Sequence, residues 1–372
     1  MFINGPFNIV RLTNSKKTLL IMFDYHLPVE KQTQCEADEA IDVQMFLHRY
    51  FKDAKKDVDF FLEVNPYLLV RGRGEGGFQY TKERGNYIHN IEAWLSRHFE
   101  YERNADRVKR STSYPNVRFH YIDFRGHFST IEFDVQNDSV VEFIDHYREN
   151  LQEISGLIRS QETPEEKRRS IIDAKPGHHD RYVKRHILGK LLNRYSDERV
   201  RDVLVGYIKK EFMRFIKTSL DFSHQKEEEV ARAVSVISVP EDMRNGQGYG
   251  VDIDDYEKSI TFLKVYGNRL YETWMDVLLR LVDFYFIRRF LDKRYIRDGV
   301  LYCGGMHGLH IIMILVKFFG FRIEHAYFSS TSVARLNKII LGSSGSDPSM
   351  LVDLLYPPTL IQCSEFLSKT KV

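Results

Sequence analysis

Runs of consecutive apolar residues in the first third of the chain predict buried strands. Thr18 to Tyr25 (TLLIMFDY) and Val58 to Val64 are apolar almost throughout, which is typical of strands covered by helices on both faces. Phe7 to Thr13 precedes the first of them, and the polar turn Asn14-Ser15-Lys16 between the two runs predicts a hairpin. Val117 to Ile122 alternates between apolar and polar residues and predicts a further strand.

Helical spacing of apolar residues separates these strands and then dominates the middle of the chain. Tyr87 to Val108 is predicted to be one helix, and from Ser139 to about Lys293 strand signals nearly vanish. Strand patterns return with Gly299 to Cys303. An apolar helix over His310 to Phe319 and a last strand over Arg322 to Phe328 follow it.

This order of elements predicts the fold class. Strands that alternate with helices indicate an α/β fold with a mainly parallel central sheet flanked by helices. The helical middle indicates a large all-helical insertion or cap. The predicted divisions are residues 1–138 for the N-terminal part of the α/β core, 139–296 for the insertion or cap, and 297–372 for the C-terminal part of the core.

Charge and cysteine content narrow the class of protein. The 54 Lys and Arg residues nearly balance the 52 Asp and Glu residues, so no global positive field favours a nucleic-acid partner. The cysteines are Cys35, Cys303 and Cys363, too few and too widely spaced for a disulfide framework or a zinc site. We therefore expect reduced thiols and a cytoplasmic protein. The longest apolar stretch is too short to cross a bilayer, so no membrane partner is expected.

Polar side chains follow four of the predicted strands, at the point where each strand ends. These residues are Asp24, His26, Glu63, Asp123, Arg125 and His307. Because open α/β sheets place their sites at the carboxyl ends of strands, we expect these side chains to share one crevice.

The residue types in this crevice suggest two kinds of chemistry. A histidine is easily poised as a general base, and histidines with carboxylates also bind divalent metals. Structural roles remain open: Asp24 and His26 could close a turn, and Glu63 could pair with Arg71 or Arg73. His310 is expected to pack or to support the site, and the direction of Asp283 does not follow from the sequence.

Four short motifs resemble those of a known superfamily. Gly304-Gly305-Met306-His307, followed by an apolar helix, resembles the C-terminal GxxH signature of the erythromycin esterase, ChaN, TraB and TIKI-like superfamily. Phe23-Asp24-Tyr25-His26 resembles its N-terminal Gly-Glu-x-His, with Phe for Gly and Asp for Glu. Glu63 and Asp123 resemble the acids that end its second and third strands. The chain as a whole also resembles uncharacterised proteins of large DNA viruses.

The resemblance implies a hydrolase of ester or peptide type with catalytic residues His26, Glu63 and His307. In this superfamily a histidine activates water directly or a divalent metal (Mn, Co or Zn) is involved, and the same three residues would then be its ligands. The supporting residues would be Asp24, Asp123, Arg71 and Arg125.

The alternative is a non-enzymatic viral structural or host-interaction protein whose helical segment supplies the binding surface. The expected partners are accordingly a small-molecule or peptide substrate, or a viral or host protein. The expected location is the host cytoplasm or the virion.

Overall fold

The computed structural model describes residues 1–31, 35–36, 39–64, 85–102, 107–125, 139–159, 187–239, 252–345, 347–359 and 361–366. The chain divides into two compact units. The first combines residues 1–125 with 282–372, and the second covers 126–281.

A six-stranded sheet forms the centre of the first unit. Its strands, in spatial order, are β10 (Arg322–Ala326), β2 (Asn8–Thr13), β3 (Thr18–Asp24), β9 (Asp298–Gly304), β5 (Val58–Leu62) and β8 (Val117–Tyr121). The strands from β3 to β8 are parallel, as predicted. The sheet is nevertheless mixed, because β2 is antiparallel to both β3 and β10. The tight turn between β2 and β3 allows only antiparallel pairing.

Two smaller sheets complete the strand content of the described residues. One joins β11 (Cys363–Glu365), β1 (Phe2–Asn4) and β4 (Ile41–Asp42). The other is a hairpin of β6 (Tyr101–Glu102) and β7 (Arg107–Val108). This hairpin corrects the prediction of one helix from Tyr87 to Val108, because among the described residues of that stretch α2 (Tyr87–Leu95) is helical and β6 and β7 are strands. Pairing of the aromatic Tyr101 with the β-branched Val108 overrides the helical spacing.

Helices cover both faces of the six-stranded sheet. On one face lie α1 (Val43–Lys52) and α2, and the ring of Phe51 in α1 contacts Phe60 in β5. On the other face, Phe61 packs edge-on against Phe286, near the end of α7 (Ile253–Asp292). Phe60 and Phe61 point in opposite directions because side chains alternate along a strand. The unbroken apolar runs of the sequence reflect this double coverage.

The remaining helices of the first unit follow the central strand β9. They are α8 (Gly305–Phe319), α9 (Val333–Gly342) and the short α10 (Val352–Leu355). The prediction that α8 ends before Gly320 is confirmed. Gly320 has a left-handed backbone with φ of 68°, which glycine adopts without steric cost.

The described elements of the second unit are helical. They are α3 (Ser139–Arg159), a stretch over 187–193, α4 (Glu198–Tyr207), a π-helical turn over Ile208–Phe212, α5 (Met213–Gln225), α6 (Glu227–Ile237) and the part of α7 before Val282. Among the described residues, no helix is both long and apolar enough to span a bilayer.

A disulfide between Cys35 and Cys363 corrects the expectation of reduced thiols. Both cysteines are held against β1: the backbone N–H of Cys35 donates to the side chain of Asn4, and Cys363 pairs with Asn4 in the strand ladder. They are 328 residues apart, so their proximity could not be predicted from spacing. Cys303 is buried with a free thiol.

Candidate functional site

The carboxyl ends of β3, β9 and β5 meet at one edge of the sheet, with β9 in the middle. Asp24 at the end of β3 is paired with Gly304 at the end of β9, and Leu62, just before Glu63, is paired with Tyr302. Gly304 lets side chains from the flanking strands approach each other. A Cβ atom at this position would lie 2.6 Å from His26 Nε2 and 3.4 Å from Glu63 Oε2.

His26 is held above this edge in a strained backbone conformation. Its φ of 56° is in the left-handed region, which costs a non-glycine residue about 1 kcal/mol or more. Asp24 Oδ2 accepts from the backbone N–H of His26 at 3.1 Å and lies 2.9 Å from its Nδ1. The other oxygen of Asp24 accepts from Gln362 at 2.7 Å and from the Tyr302 hydroxyl at 3.3 Å. Asp24 therefore fixes both the backbone and the ring of His26.

Glu63 is the centre of the cluster. Its Oε2 accepts from the backbone N–H of Gly304 at 2.7 Å and lies 3.5 Å from His26 Nε2. Its Oε1 accepts from the guanidinium of Arg125 at 2.6 Å and lies 2.9 Å from His307 Nε2. Arg125 is in turn held by Asp123, which accepts from both its side chain and its backbone.

A buried aspartate links two histidines beneath Glu63. Asp283 near the end of α7 has one carboxylate oxygen 2.6 Å from His307 Nδ1 and the other 2.6 Å from His310 Nδ1. The two histidines are three residues apart on α8 and therefore project from the same face of that helix. One carboxylate can thus bridge both rings.

The close pairing of opposite charges sets the pKa values in this cluster. Burial would lower the pKa of His26, but its hydrogen bonds to Asp24 and Glu63 raise it to about 9. Burial would also lower the pKa of His307, but the charges of Glu63 and Asp283 raise it to about 10. For Glu63, burial is outweighed by His307 and His26, so its pKa is well below the usual range. At neutral pH these groups are therefore ionised.

Most of the residues proposed from the sequence meet in this cluster. His26, Glu63 and His307 are joined there, with Asp24, Asp123 and Arg125 around them. Arg71 lies outside the described residues.

The sequence alone does not predict the role of Asp283, and for His310 it predicts only packing or a supporting role. A usable signal was present, because Asp283 interrupts the apolar run Leu281-Val282-Asp283-Phe284. A carboxylate in such a run is costly unless it is paired.

The donor set does not fit a divalent metal well. Both oxygens of Glu63 already accept strong hydrogen bonds, one of them from a cationic guanidinium. The two histidines must lose a proton before they can bind a metal, which their raised pKa values oppose. Among the described residues, no group of three or more His, Cys, Asp or Glu is arranged to hold an ion. The metal hypothesis for His26, Glu63 and His307 stays a prediction that this arrangement does not favour.

Comparison with known proteins shows similarity to a family of unknown function and to uncharacterised viral proteins. The family of unknown function DUF5847 matches residues 1–138 and 129–370. The chain is 26% identical to the uncharacterised protein R706 of Acanthamoeba polyphaga mimivirus, over 99% of this chain and 96% of the relative. It is 27% identical to the uncharacterised protein R160 of the same virus, over 91% and 90% of the two chains. No solved structure matches the chain significantly.

These relatives confirm the expected similarity to proteins of large DNA viruses. They lend no support to the resemblance to the erythromycin esterase, ChaN, TraB and TIKI-like superfamily, which stays a prediction.

Proposed function

The chain belongs to DUF5847, a family of unknown function, and we propose that its strand-end cluster is the acid–base site of a hydrolase acting on ester or peptide bonds. One observation carries the proposal: carboxylates and imidazoles alternate in an unbroken row of close contacts. The row is Asp24, His26, Glu63, His307, Asp283 and His310. Burying such a row costs several kcal/mol per ion before pairing. Strongly shifted pKa values such as those of His26, His307 and Glu63 cluster at functional sites.

His26 is the member of the row that would contact a substrate. Its side chain is 36% exposed, whereas the side chains of Glu63 and His307 are 1% and 4% exposed. With a pKa raised to about 9, His26 is an imidazolium at neutral pH and acts first as an acid. Water would add to the carbonyl carbon, and as the C–O or C–N bond to the leaving group breaks, His26 would donate its Nε2 proton to the leaving oxygen or nitrogen. The neutral ring would then take the proton that the attacking water releases.

The buried residues would hold His26 in this role without contacting the substrate. Glu63 stabilises the imidazolium, and His307, itself held by Asp283, pairs with Glu63. Arg125 has a side chain that is 25% exposed and would stabilise the negative charge that develops on the carbonyl oxygen.

The test is a screen of generic ester and peptide substrates with wild type, His26→Ala and a matched control, His146→Ala, which removes an exposed histidine from α3. The screen is run with a chelator and again with added Mn²⁺, Co²⁺ or Zn²⁺, so that metal dependence is measured separately. We expect hydrolysis by wild type and control and a loss of 100-fold or more in His26→Ala, the range of general acid–base catalysis (about 10²–10⁴). Activity should fall as the pH rises through about 9, where His26 loses its proton. Equal rates in all three proteins would remove the proposal.

A second candidate function is binding to an acidic protein surface. The specific observation is a groove of about 480 Å³ in the helical unit. Its basic residues are Arg159, Lys209, Lys210, Arg214 and Lys217. The acidic side chain of Glu211 neutralises part of this charge by pairing with Arg214 and Lys210. This function predicts salt-sensitive capture of a defined viral or host protein that is lost in the double variant Lys210→Glu, Lys217→Glu, whatever the hydrolase screen finds.

A further inference from the structure

A second polar cavity, which shares no residue with the strand-end cluster, lies at the β8 edge of the sheet. It is lined by residues of the β6–β7 hairpin, of β8 and of the last turns of α7, and its volume is about 230 Å³. Its basic residues are Arg107, Lys109, Arg110, Arg118 and Arg289, and no Asp or Glu lines it among the described residues. Four tyrosines also line it, namely Tyr101, Tyr121, Tyr285 and Tyr295.

Most of these cations are neutralised by carboxylates outside the cavity. Arg107 pairs with Glu102 at 2.6 Å, and Lys109 pairs with Glu100 at 3.0 Å. Arg110 lies 3.5 Å from Asp57. These pairs leave the cationic side chains in place but cancel much of their charge.

Arg118 is the most strongly held cation of the cavity wall. Asp59 is fully buried and accepts two hydrogen bonds from Arg118, at 2.8 and 2.6 Å. The same carboxylate lies 2.8 Å from His120 Nε2. Asp59 is therefore the buried anchor of this wall, and its charge is already shared.

Arg289 is held differently, by a neutral ring. Burial lowers the pKa of His120, and although the hydrogen bond to Asp59 opposes this shift, the nearby charge of Arg289 adds to it, which favours the neutral ring. With Nε2–H directed to Asp59, His120 Nδ1 accepts from the guanidinium of Arg289 at 3.4 Å. No carboxylate pairs with Arg289 within the part of the chain that the structure describes. The guanidinium of Arg289 therefore lines the cavity in a fixed orientation, and its positive charge is not neutralised by a carboxylate of the described residues.

Aromatic rings stand beside this charge. Tyr285 lies one helical turn before Arg289 and projects from the same face of α7. Tyr295 is 53% exposed, and its ring faces the guanidinium of Arg118 at 4.9 Å. The ring of Tyr295, held by this cation, offers a stacking surface for a planar ligand, and the ring of Tyr285 is held edge-on by Phe124.

We propose that this cavity binds a small ligand that carries one phosphate and a planar ring, the chemistry of a nucleoside monophosphate. The phosphate would pair with Arg289, whose planar guanidinium suits bidentate contact with phosphate oxygens. The ring would stack on Tyr285 or Tyr295. The volume of about 230 Å³ lies below the roughly 300–1,000 Å³ of drug-sized sites, which favours a single phosphate over a triphosphate.

The experiment measures binding of AMP and UMP to the full-length protein by calorimetry, with adenosine and inorganic phosphate as partial ligands. Wild type is compared with Arg289→Gln and with the matched control Arg322→Gln, which removes an exposed arginine from β10. We expect a nucleoside monophosphate to bind more tightly than either partial ligand. Arg289→Gln should weaken it at least tenfold, and Arg322→Gln should leave it unchanged.

Loss of binding in a variant supports the proposal only if the variant is folded. Circular dichroism and thermal unfolding establish that Arg289→Gln is native, and Tyr295→Ala serves as a second variant because its ring is exposed. Tyr295→Ala should reduce the preference for AMP over inorganic phosphate. The proposal is overturned if neither nucleotide binds, or if binding is the same in Arg289→Gln and wild type.

Discussion

Glu92 provides a quantitative test of the packing around α2. Its side chain is buried, and its Oε1 has no hydrogen-bond partner among the described residues. Burial, with a contribution from the charge of Asp123, raises the pKa of Glu92 to about 7. Moving the pKa from 4.5 to about 7 corresponds to about 3 kcal/mol of folding free energy.

The sign of the effect follows from proton binding. Below pH 4.5 the carboxyl is neutral in both states and costs nothing. As the pH rises from 4.5 to about 7, the unfolded chain releases the proton while the folded chain retains it, so stability falls. Above about pH 7 the carboxyl is ionised in both states, so the loss of folding stability no longer changes with pH. Glu92→Gln, which stays neutral, should gain stability relative to wild type over this interval, with about 2 kcal/mol of the gain between pH 5.5 and 8.5.

Tryptophan fluorescence can report unfolding of the first unit, which contains Glu92. Of the two tryptophans, Trp94 lies in this unit and Trp274 in the second. Trp94 lies two residues from Glu92, so a Trp274→Phe background leaves its fluorescence as the reporter. Urea unfolding at pH 5.5 and 8.5 would compare this background with its Glu92→Gln derivative and with Glu100→Gln, an exposed control in the same unit. A difference between Glu92→Gln and its parent that does not change with pH would refute the reasoning.

Three further predictions concern stability. Cys363→Ser removes a cross-link over 328 residues and should cost up to about 6 kcal/mol, and a reductant should lower the melting temperature of wild type but not of the variant. Asp283→Asn leaves two buried imidazoles without their shared carboxylate and should cost about 3 kcal/mol in urea unfolding; an unchanged midpoint would contradict the pairing. Gly308→Ala places a Cβ 2.5 Å from Phe23 and should cost about 1–3 kcal/mol, whereas Gly342→Ala, with open space around it, should not destabilise.

Strands could be predicted well because their signal is local. The apolar runs of β3 and β5 and the alternation of β8 identify strands within a residue or two of their observed ends. The β6–β7 hairpin was missed because its two-residue strands are too short to show a period of two. The direction of β2 depends on its turn rather than on its composition.

The candidate site was predicted to the extent that it depends on strand ends. Asp24, Glu63 and Asp123 end strands, and the parallel arrangement brings them together. Asp283 comes from the last quarter of a 40-residue helix, and its direction depends on how that helix packs on the sheet. The disulfide depends on two short strands that meet only in the folded chain. Neither follows from local pattern.

The central position of β9 has a consequence for synthesis of the protein. β3 and β5 are both complete by residue 62, yet they contact each other only through β9, which ends at Gly304. During synthesis, one edge of β3 and one edge of β5 therefore keep their backbone hydrogen-bonding groups unpaired until about four-fifths of the polypeptide has been made. A truncated chain that ends before residue 298 would expose these two unpaired strand edges. We expect such a chain to bind chaperones or to aggregate.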